Sequence, residues 1–161
     1  MLKKMFAIAL VLGIATVAGV SFADTDNAPG SMCVATGSNT MSINTVGHGY
    51  NNNTSSMTVV CPSERKIIGS NFATKFKGTV WVMDRSTTDN VCCRAMTRNP
   101  GGANVTGTEV CTSGSSSSYK QLNVPQITDN YTWSHFYIRC TLPAKDGSNA
   151  SRILTYRSVQ N

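Results

Sequence analysis

The sequence is poor in charge and short of the side chains that most enzymes use for acid–base chemistry. Only 14% of its 161 residues are charged, against about a quarter in typical soluble domains. It has two histidines, His48 and His135, and two glutamates, Glu64 and Glu109. This composition excludes a disordered acidic or basic chain and a coiled coil, because both are rich in charged residues.

Long apolar runs and helical periodicity are absent after residue 23. Before it, Lys3 and Lys4 precede an apolar run over residues 6–20, and Ser21 and Ala23 occupy the positions that a signal peptidase reads. The run is shorter than the ~20 residues that cross a bilayer. We therefore predict a signal peptide over residues 1–23 and a bacterial protein secreted to the periplasm or outside the cell, with no membrane span after cleavage.

Residues 24–161 are dominated by small polar residues. These 138 residues include 17 Ser, 18 Thr, 14 Asn and 11 Gly, and their net charge is +4. The basic residues are scattered rather than clustered, which argues against nucleic acid as a partner.

Short runs of alternating polarity, separated by turn-forming residues, indicate an all-β fold. We predict one domain over residues 33–161, an antiparallel β-sandwich or jelly roll, after a flexible tail over residues 24–32. The nine predicted strands are 41–46, 56–61, 66–71, 79–85, 91–97, 106–112, 119–124, 133–142 and 152–158. The predicted inward side chains are Val59, Ile67, Val80, Val82, Leu122, Phe136, Ile138, Ile153 and Thr155.

The six cysteines predict three disulfides, as expected for an exported chain. There is no Cys-x-x-Cys motif, so we predict no metal site and no cofactor. Strand alternation places Cys92 and Cys93 on opposite faces, and Cys93 and Cys140 both share a face with apolar neighbours. The favoured pairs are therefore Cys93–Cys140, Cys92–Cys111 and Cys33–Cys61.

An aromatic segment near the C-terminus is the most informative functional pattern. If Phe136, Ile138 and Cys140 point inward, a second set of side chains shares the opposite face. Aromatic rings with polar edges can stack on sugars, so this set is a candidate carbohydrate-binding row. The alternative is that a second layer covers the row and makes it a packing surface. The candidate ligand-binding residues are Tyr131, Trp133, His135, Tyr137 and Arg139.

Four short patterns stand out in the chain after residue 23. They are residues 58–62 (TVVCP), 80–85 (VWVMDR), the turn at Gly114, and 137–143 (YIRCTLP) followed by a last strand near 153–156. Together they resemble the pattern of small secreted bacterial β-rich proteins. The resemblance implies a secreted β-rich domain and brings no catalytic residues.

These observations predict a non-enzymatic extracellular or cell-surface protein that binds polysaccharide or a surface protein. Two alternatives stay open. One is a small secreted hydrolase that uses His48 or His135 with Asp84, Asp89 or Asp129. The other is an inhibitor or toxin-like effector that inserts a loop such as residues 99–104 into a protein partner. Oligomeric state does not follow from the sequence.

Overall fold

The computed structural model describes residues 23–161, so the predicted signal peptide, apart from its last residue, lies outside the described residues. Within this range the chain forms thirteen strands and one short 3-10 helix, Gly30–Met32. No helix in residues 23–161 is long and apolar enough to span a membrane. The strands are β1 Asp24–Pro29, β2 Val34–Ala35, β3 Ser42–Ile43, β4 Gly49–Tyr50, β5 Met57–Ser63, β6 Ile67–Ile68, β7 Asn71–Phe72, β8 Lys75–Met83, β9 Cys92–Arg98, β10 Val110–Cys111, β11 Lys120–Thr128, β12 His135–Leu142 and β13 Arg152–Gln160.

Two antiparallel sheets make the predicted β-sandwich. Sheet A has the order β11-β8-β13-β4-β3, and β1 pairs with β13 beside β4. Sheet B has the order β10-β9-β12-β5-β2. Strands β6 and β7 form a separate two-stranded hairpin. Apart from the consecutive pairs β3–β4 and β9–β10, neighbouring strands in both sheets are not consecutive in sequence, so the sandwich closes through long-range pairing.

The core lies between the inner faces of the two sheets and follows the predicted alternation. The rings of Phe76 on β8 and Phe136 on β12 stack with centroids 5.0 Å apart. Polar contacts also cross between the sheets, since the Tyr156 hydroxyl donates to the Pro62 carbonyl at 2.8 Å. Burial, followed by the charge of Asp26, raises the pKa of Tyr156 to about 12, so the hydroxyl remains a donor at neutral pH. Seven predicted inward residues are buried: Val59, Val80, Val82, Leu122, Phe136, Ile138 and Ile153.

The three disulfides join the cysteine pairs that strand alternation favoured, and each staples neighbouring strands of sheet B. Cys93 of β9 lies directly opposite Cys140 of β12 and is bonded to it. Cys92 is bonded to Cys111 across β9 and β10. The third bridge links Cys33, just before β2, to Cys61 on β5. Within residues 23–161 the disulfides therefore strengthen one sheet, and packing and hydrogen bonds hold the two sheets together.

Three predictions about the core and the N-terminal segment are wrong. The predicted strand 66–71 is the β6–β7 hairpin, which turns at Gly69 with φ +66°, so Ile67 is 66% exposed rather than inward. Thr155 is only half-buried and points away from the core, like its partner Trp81. Residues 24–29, expected to be a loose tail, are strand β1, which pairs with β13 over its full length. Their polar sequence lacks alternation, and backbone pairing with an available strand edge orders them.

Candidate functional site

The predicted aromatic row is divided between a turn and a strand. Strand β12 begins at His135, two residues later than predicted, and residues 131–134 form a turn closed by the Ser134 N–H donating to the Tyr131 carbonyl at 3.2 Å. On this turn Trp133 is 70% exposed and Tyr131 is 50% exposed. Side chains alternate between the two faces of a sheet only within a strand, and β12 does not extend before His135. The rings of Tyr131 and Trp133 therefore lie at an end of the sandwich instead of on the face of sheet B.

Arg65, which lies between β5 and β6 and is distant in sequence, holds this turn in place. Its guanidinium donates to the carbonyls of Ala73 at 2.9 Å, Ser134 at 3.0 Å and Asp129 at 3.0 Å, and also to that of Tyr131. Its central carbon lies 4.8 Å from the centroid of the Phe136 ring, so the side chain is held by a cation–π contact as well. The planar guanidinium therefore donates to four backbone carbonyls, and these hydrogen bonds connect the Trp133 turn to the neighbouring segments of the sandwich.

Asp129 provides a second anchor at the start of the turn. It is 9% exposed, and its carboxylate accepts a hydrogen bond from the Tyr131 N–H at 2.8 Å. Burial by itself raises the pKa of this carboxyl, but the hydrogen bond from Tyr131 and the charge of Arg65 contribute to a net pKa below its ordinary value. The ionised carboxylate is therefore the form that the folded turn favours.

A polar cleft of about 440 Å³ lies beside Trp133. Its lining includes Phe72, whose ring centroid is 6.2 Å from that of Trp133. Amide, hydroxyl and aromatic groups line the same space, which is the combination that a sugar ring uses, with an apolar face for stacking and hydroxyls for hydrogen bonds. The lining residues are Arg65, Ser70, Asn71, Phe72, Thr74, Asn130 and Thr132.

The remaining residues of the predicted row lie on the outer face of sheet B. His135 is exposed and stacks on Tyr137, with ring centroids 5.5 Å apart. Tyr137 itself is only 9% exposed, and Arg139 is half-buried opposite Arg94. His135 and Tyr137 thus form a packed pair, while Tyr131 and Trp133 present the more open rings.

Three residues that shape the surface, Arg65, Phe72 and Trp81, are not among the predicted site residues. Arg65 and Phe72 flank the predicted strand 66–71. The contacts that join them to the turn, with Tyr131 and Trp133, each span more than 60 residues. Trp81 was detectable, because the inward positions of Val80 and Val82 place it on the outer face of sheet A. The Trp81 ring lies there under the guanidinium of Arg157, whose central carbon is 5.7 Å from the ring centroid.

The described residues show no hydrogen-bonded His–Asp pair of the kind that the hydrolase alternative uses. His48 Nδ1 faces the side-chain amide of Asn44 at 3.3 Å. Among the hydrogen bonds and ion pairs of residues 23–161, neither His48 nor His135 contacts an aspartate. The sulfurs of Cys92 and Cys111 lie near the Glu109 carboxylate, but they are joined in a disulfide and so are not thiolate ligands.

Comparison with known proteins identifies similar folds but no family for this chain. No protein-family model matches the sequence. No curated protein matches it either.

Solved structures match over most of this chain, although at low identity. The CBM22-1 and GH10 modules of an endo-1,4-β-D-xylanase from Clostridium thermocellum, complexed with xylohexaose, share 8% identity over 86% of this chain and 28% of that one, with a TM-score of 0.53. A low-affinity xylan-binding module from Roseburia intestinalis shares 10% identity over 86% and 96% of the two chains, with a TM-score of 0.46.

The match to a family 6 carbohydrate-binding module has 15% identity, covers 81% of this chain and 90% of that one, and has a TM-score of 0.44. This chain spans about a third of the length of a family two carbohydrate esterase from Cellvibrio japonicus that it matches (34%), and 28% of the matched xylanase chain. Residues 23–161 therefore have a β-sandwich fold of the kind found in carbohydrate-binding modules.

Proposed function

We propose that this protein is a secreted, non-enzymatic carbohydrate-binding protein whose main contact is the Trp133 turn. The observation that carries the proposal is an indole that is 70% exposed on a turn whose Tyr131 and Ser134 carbonyls both accept hydrogen bonds from Arg65. An exposed tryptophan is unfavourable in water, and a rigid mounting reduces the entropy lost when a ligand stacks on it. Both features suit a preformed binding surface.

The magnitude of the stacking contact follows from area. A pyranose that covers the indole removes on the order of 100 Å² of apolar surface from water, counting both partners, which is worth about 2.5 kcal/mol at ~25 cal/mol/Å². That corresponds to roughly a sixty-fold change in dissociation constant. Tyr131 adds a second half-exposed ring on the same turn, and the polar cleft beside Phe72 supplies hydrogen-bonding groups for sugar hydroxyls.

The other residues of the predicted row take lesser parts in this proposal. His135 follows the turn directly and presents an exposed ring edge that can donate to or accept from a hydroxyl. Tyr137 supports His135 by stacking, and Arg139 lies farther along the strand as a partly exposed charge. The proposed ligand is an extended polysaccharide that crosses the turn.

Three disulfides in a short chain suit an oxidising compartment, and this supports the proposed export. The proposal includes a bacterial source and cleavage after Ala23. Amino-terminal sequencing of the protein secreted by its host tests that cleavage, since a first residue other than Asp24 contradicts it.

Isothermal titration with xylohexaose, cellohexaose and mannohexaose tests the binding. We expect at least one of these neutral oligosaccharides to bind and Trp133→Ala to weaken that binding at least tenfold, a smaller loss than the area estimate gives for complete stacking. The matched control is Val46→Ala, since Val46 is also exposed, at 68%, but lies on a distant turn. The proposal fails if none of the three binds, or if Trp133→Ala binds as well as Val46→Ala does.

A further inference from the structure

The outer face of sheet A carries a second set of ligand-type side chains, away from the Trp133 turn. On β8, Phe76, Val80 and Val82 are buried in the core, so Lys77 and Trp81 point outward. The same alternation on the paired strands places further polar side chains beside them. We call this surface the Trp81 face, and it consists of Thr25, Asn27, Lys77, Thr79, Trp81, Tyr119, Asn123, Thr155, Arg157 and Val159.

Two concavities lie side by side on the Trp81 face. One, of about 360 Å³, is lined by Asn27, Trp81, Tyr119, Leu154 and Thr155. The other, of about 460 Å³, is lined by Thr25, Lys77, Gly78, Thr79, Asn123, Val124, Arg157 and Val159. They adjoin at Arg157, which lines the second concavity and extends its guanidinium over the Trp81 ring of the first.

Strand register makes the two concavities one continuous path. Arg157 lies between Asn27 on β1 and Thr79 on β8, and Thr79 in turn lies opposite Asn123 on β11. This row of polar side chains crosses four strands. Lys77 and Trp81 are four residues apart on β8, which is about 13 Å at 3.3 Å per residue. The path therefore offers a ring surface at one end and an ammonium group at the other.

The charged side chains that line this path are all positive. Lys77 and Arg157 line it, and no aspartate or glutamate of the described chain does. Asp26, which lies between Thr25 and Asn27 on β1, is paired instead with Lys66 at 2.9 Å. The two salt bridges of residues 23–161 leave Lys77 and Arg157 without an acidic partner, and Arg157 Nε is buried without a hydrogen-bond acceptor.

We propose that the Trp81 face binds an acidic polysaccharide, a chain of sugars that carry carboxylates. Trp81 and the 65%-exposed Tyr119 contact sugar rings, while Arg157 and Lys77 pair with carboxylates. Asn27 and Asn123 provide amides for hydroxyls. Charge complementarity selects this class of ligand over a neutral glycan, because two unpaired cations beside an aromatic ring gain from a carboxylate and gain nothing comparable from a hydroxyl. The site differs from the Trp133 turn in place and in ligand, and it does not depend on it.

The probe is a short oligogalacturonate, compared with the same oligomer fully methyl-esterified. The two share their sugar rings and differ in charge. We expect the acid form to bind the full-length mature protein at least tenfold more tightly than the ester, with an affinity that falls as salt rises. Arg157→Gln should weaken binding of the acid form at least tenfold and leave the ester unchanged, and Tyr119→Ala should weaken the binding of both forms.

The matched control is Arg98→Gln, which removes an equally positive, exposed side chain from the end of β9 in sheet B. The proposal is overturned if oligogalacturonate does not bind, if acid and ester bind equally, or if Arg98→Gln weakens binding as much as Arg157→Gln does.

Circular dichroism of each variant establishes that it is folded, and Tyr119→Ala provides an independent test because Tyr119 is largely exposed. Titration of the same proteins with xylohexaose tests the Trp133 turn separately, so failure of one proposal is distinguishable from failure of the other.

Discussion

The buried carboxylate of Asp84 joins four segments of the chain, and its replacement by asparagine should be strongly destabilising. Asp84 follows β8 and is 0% exposed. One carboxylate oxygen accepts from the Ser151 hydroxyl at 3.1 Å and the Ser86 N–H at 3.2 Å. The other accepts from the Val91 N–H at 3.2 Å and from the Thr112 hydroxyl. The side chain thus ties the end of sheet A to the entrances of β9 and β13 and to the exit of β10.

The magnitude follows from counting donors. Asparagine keeps the shape but replaces one acceptor oxygen by an amide that donates, so two of the four donors lose their acceptor. The two hydroxyls can turn to other acceptors, as Thr112 already does toward the Val91 carbonyl at 3.4 Å. The Val91 N–H also keeps the Thr112 hydroxyl oxygen at 3.0 Å, whereas the Ser86 N–H depends on the carboxylate. A buried donor that loses its acceptor lowers the free energy of unfolding by about 1–3 kcal/mol, and a hydrogen bond to a charged group contributes about 1.5–3 kcal/mol to it. Relief of the buried charge offsets part of this loss, which leaves about 3 kcal/mol.

Guanidinium unfolding of the oxidised protein, followed by circular dichroism, measures this difference. Asp89→Asn is the matched control, because Asp89 lies in the same loop and is exposed, and it should change the free energy of unfolding by less than about 0.5 kcal/mol. In a domain of this size the Asp84→Asn loss corresponds to a fall in melting temperature of about 10 °C. A loss no larger than that of Asp89→Asn would refute the assigned role of the carboxylate.

Two further predictions concern the disulfides and pH. Removing Cys93–Cys140 as a double alanine variant should cost about 4 kcal/mol and removing Cys92–Cys111 about 3 kcal/mol, since the sequence separations are 47 and 19; equal losses in guanidinium unfolding would contradict this order. The pKa of Asp129 is lowered in the folded protein, so its contribution is present above the unfolded pKa of about 3.9 and is lost as pH falls through the folded value. The stability advantage of the native protein over Asp129→Asn should therefore shrink on acidification below about pH 4, and an advantage that grows instead would contradict the assignment.

Much of the β-sandwich could be predicted, because the alternation of polar and apolar side chains is visible within each strand's own sequence. Alternation identifies the inward residues of β8 and β12, and the same period places Cys93 and Cys140 on one face, where the structure bonds them. Local pattern was misleading where a short apolar run was read as one strand. Strands β6 and β7 form a hairpin over residues 67–72, separate from the two sheets. Gly69 in the left-handed region is the physical reason that the chain turns there.

The candidate surfaces depend on contacts that no local pattern contains. Arg65 reaches carbonyls up to 69 residues away, and it holds Trp133 on a turn instead of the strand that alternation extended through it. Trp81 becomes part of a charged path only because β13 and β1 bring Arg157 and Asn27 beside it.

The sequence by itself determined a β-rich, disulfide-bonded sandwich, because period-two polarity and paired cysteines act through neighbouring residues and strand geometry. Tertiary structure alone decided which polar and aromatic side chains share a surface, because that depends on which distant strands pair and in which register. It also ordered residues 24–29, whose backbone groups hydrogen-bond to an edge that only the folded sheet provides.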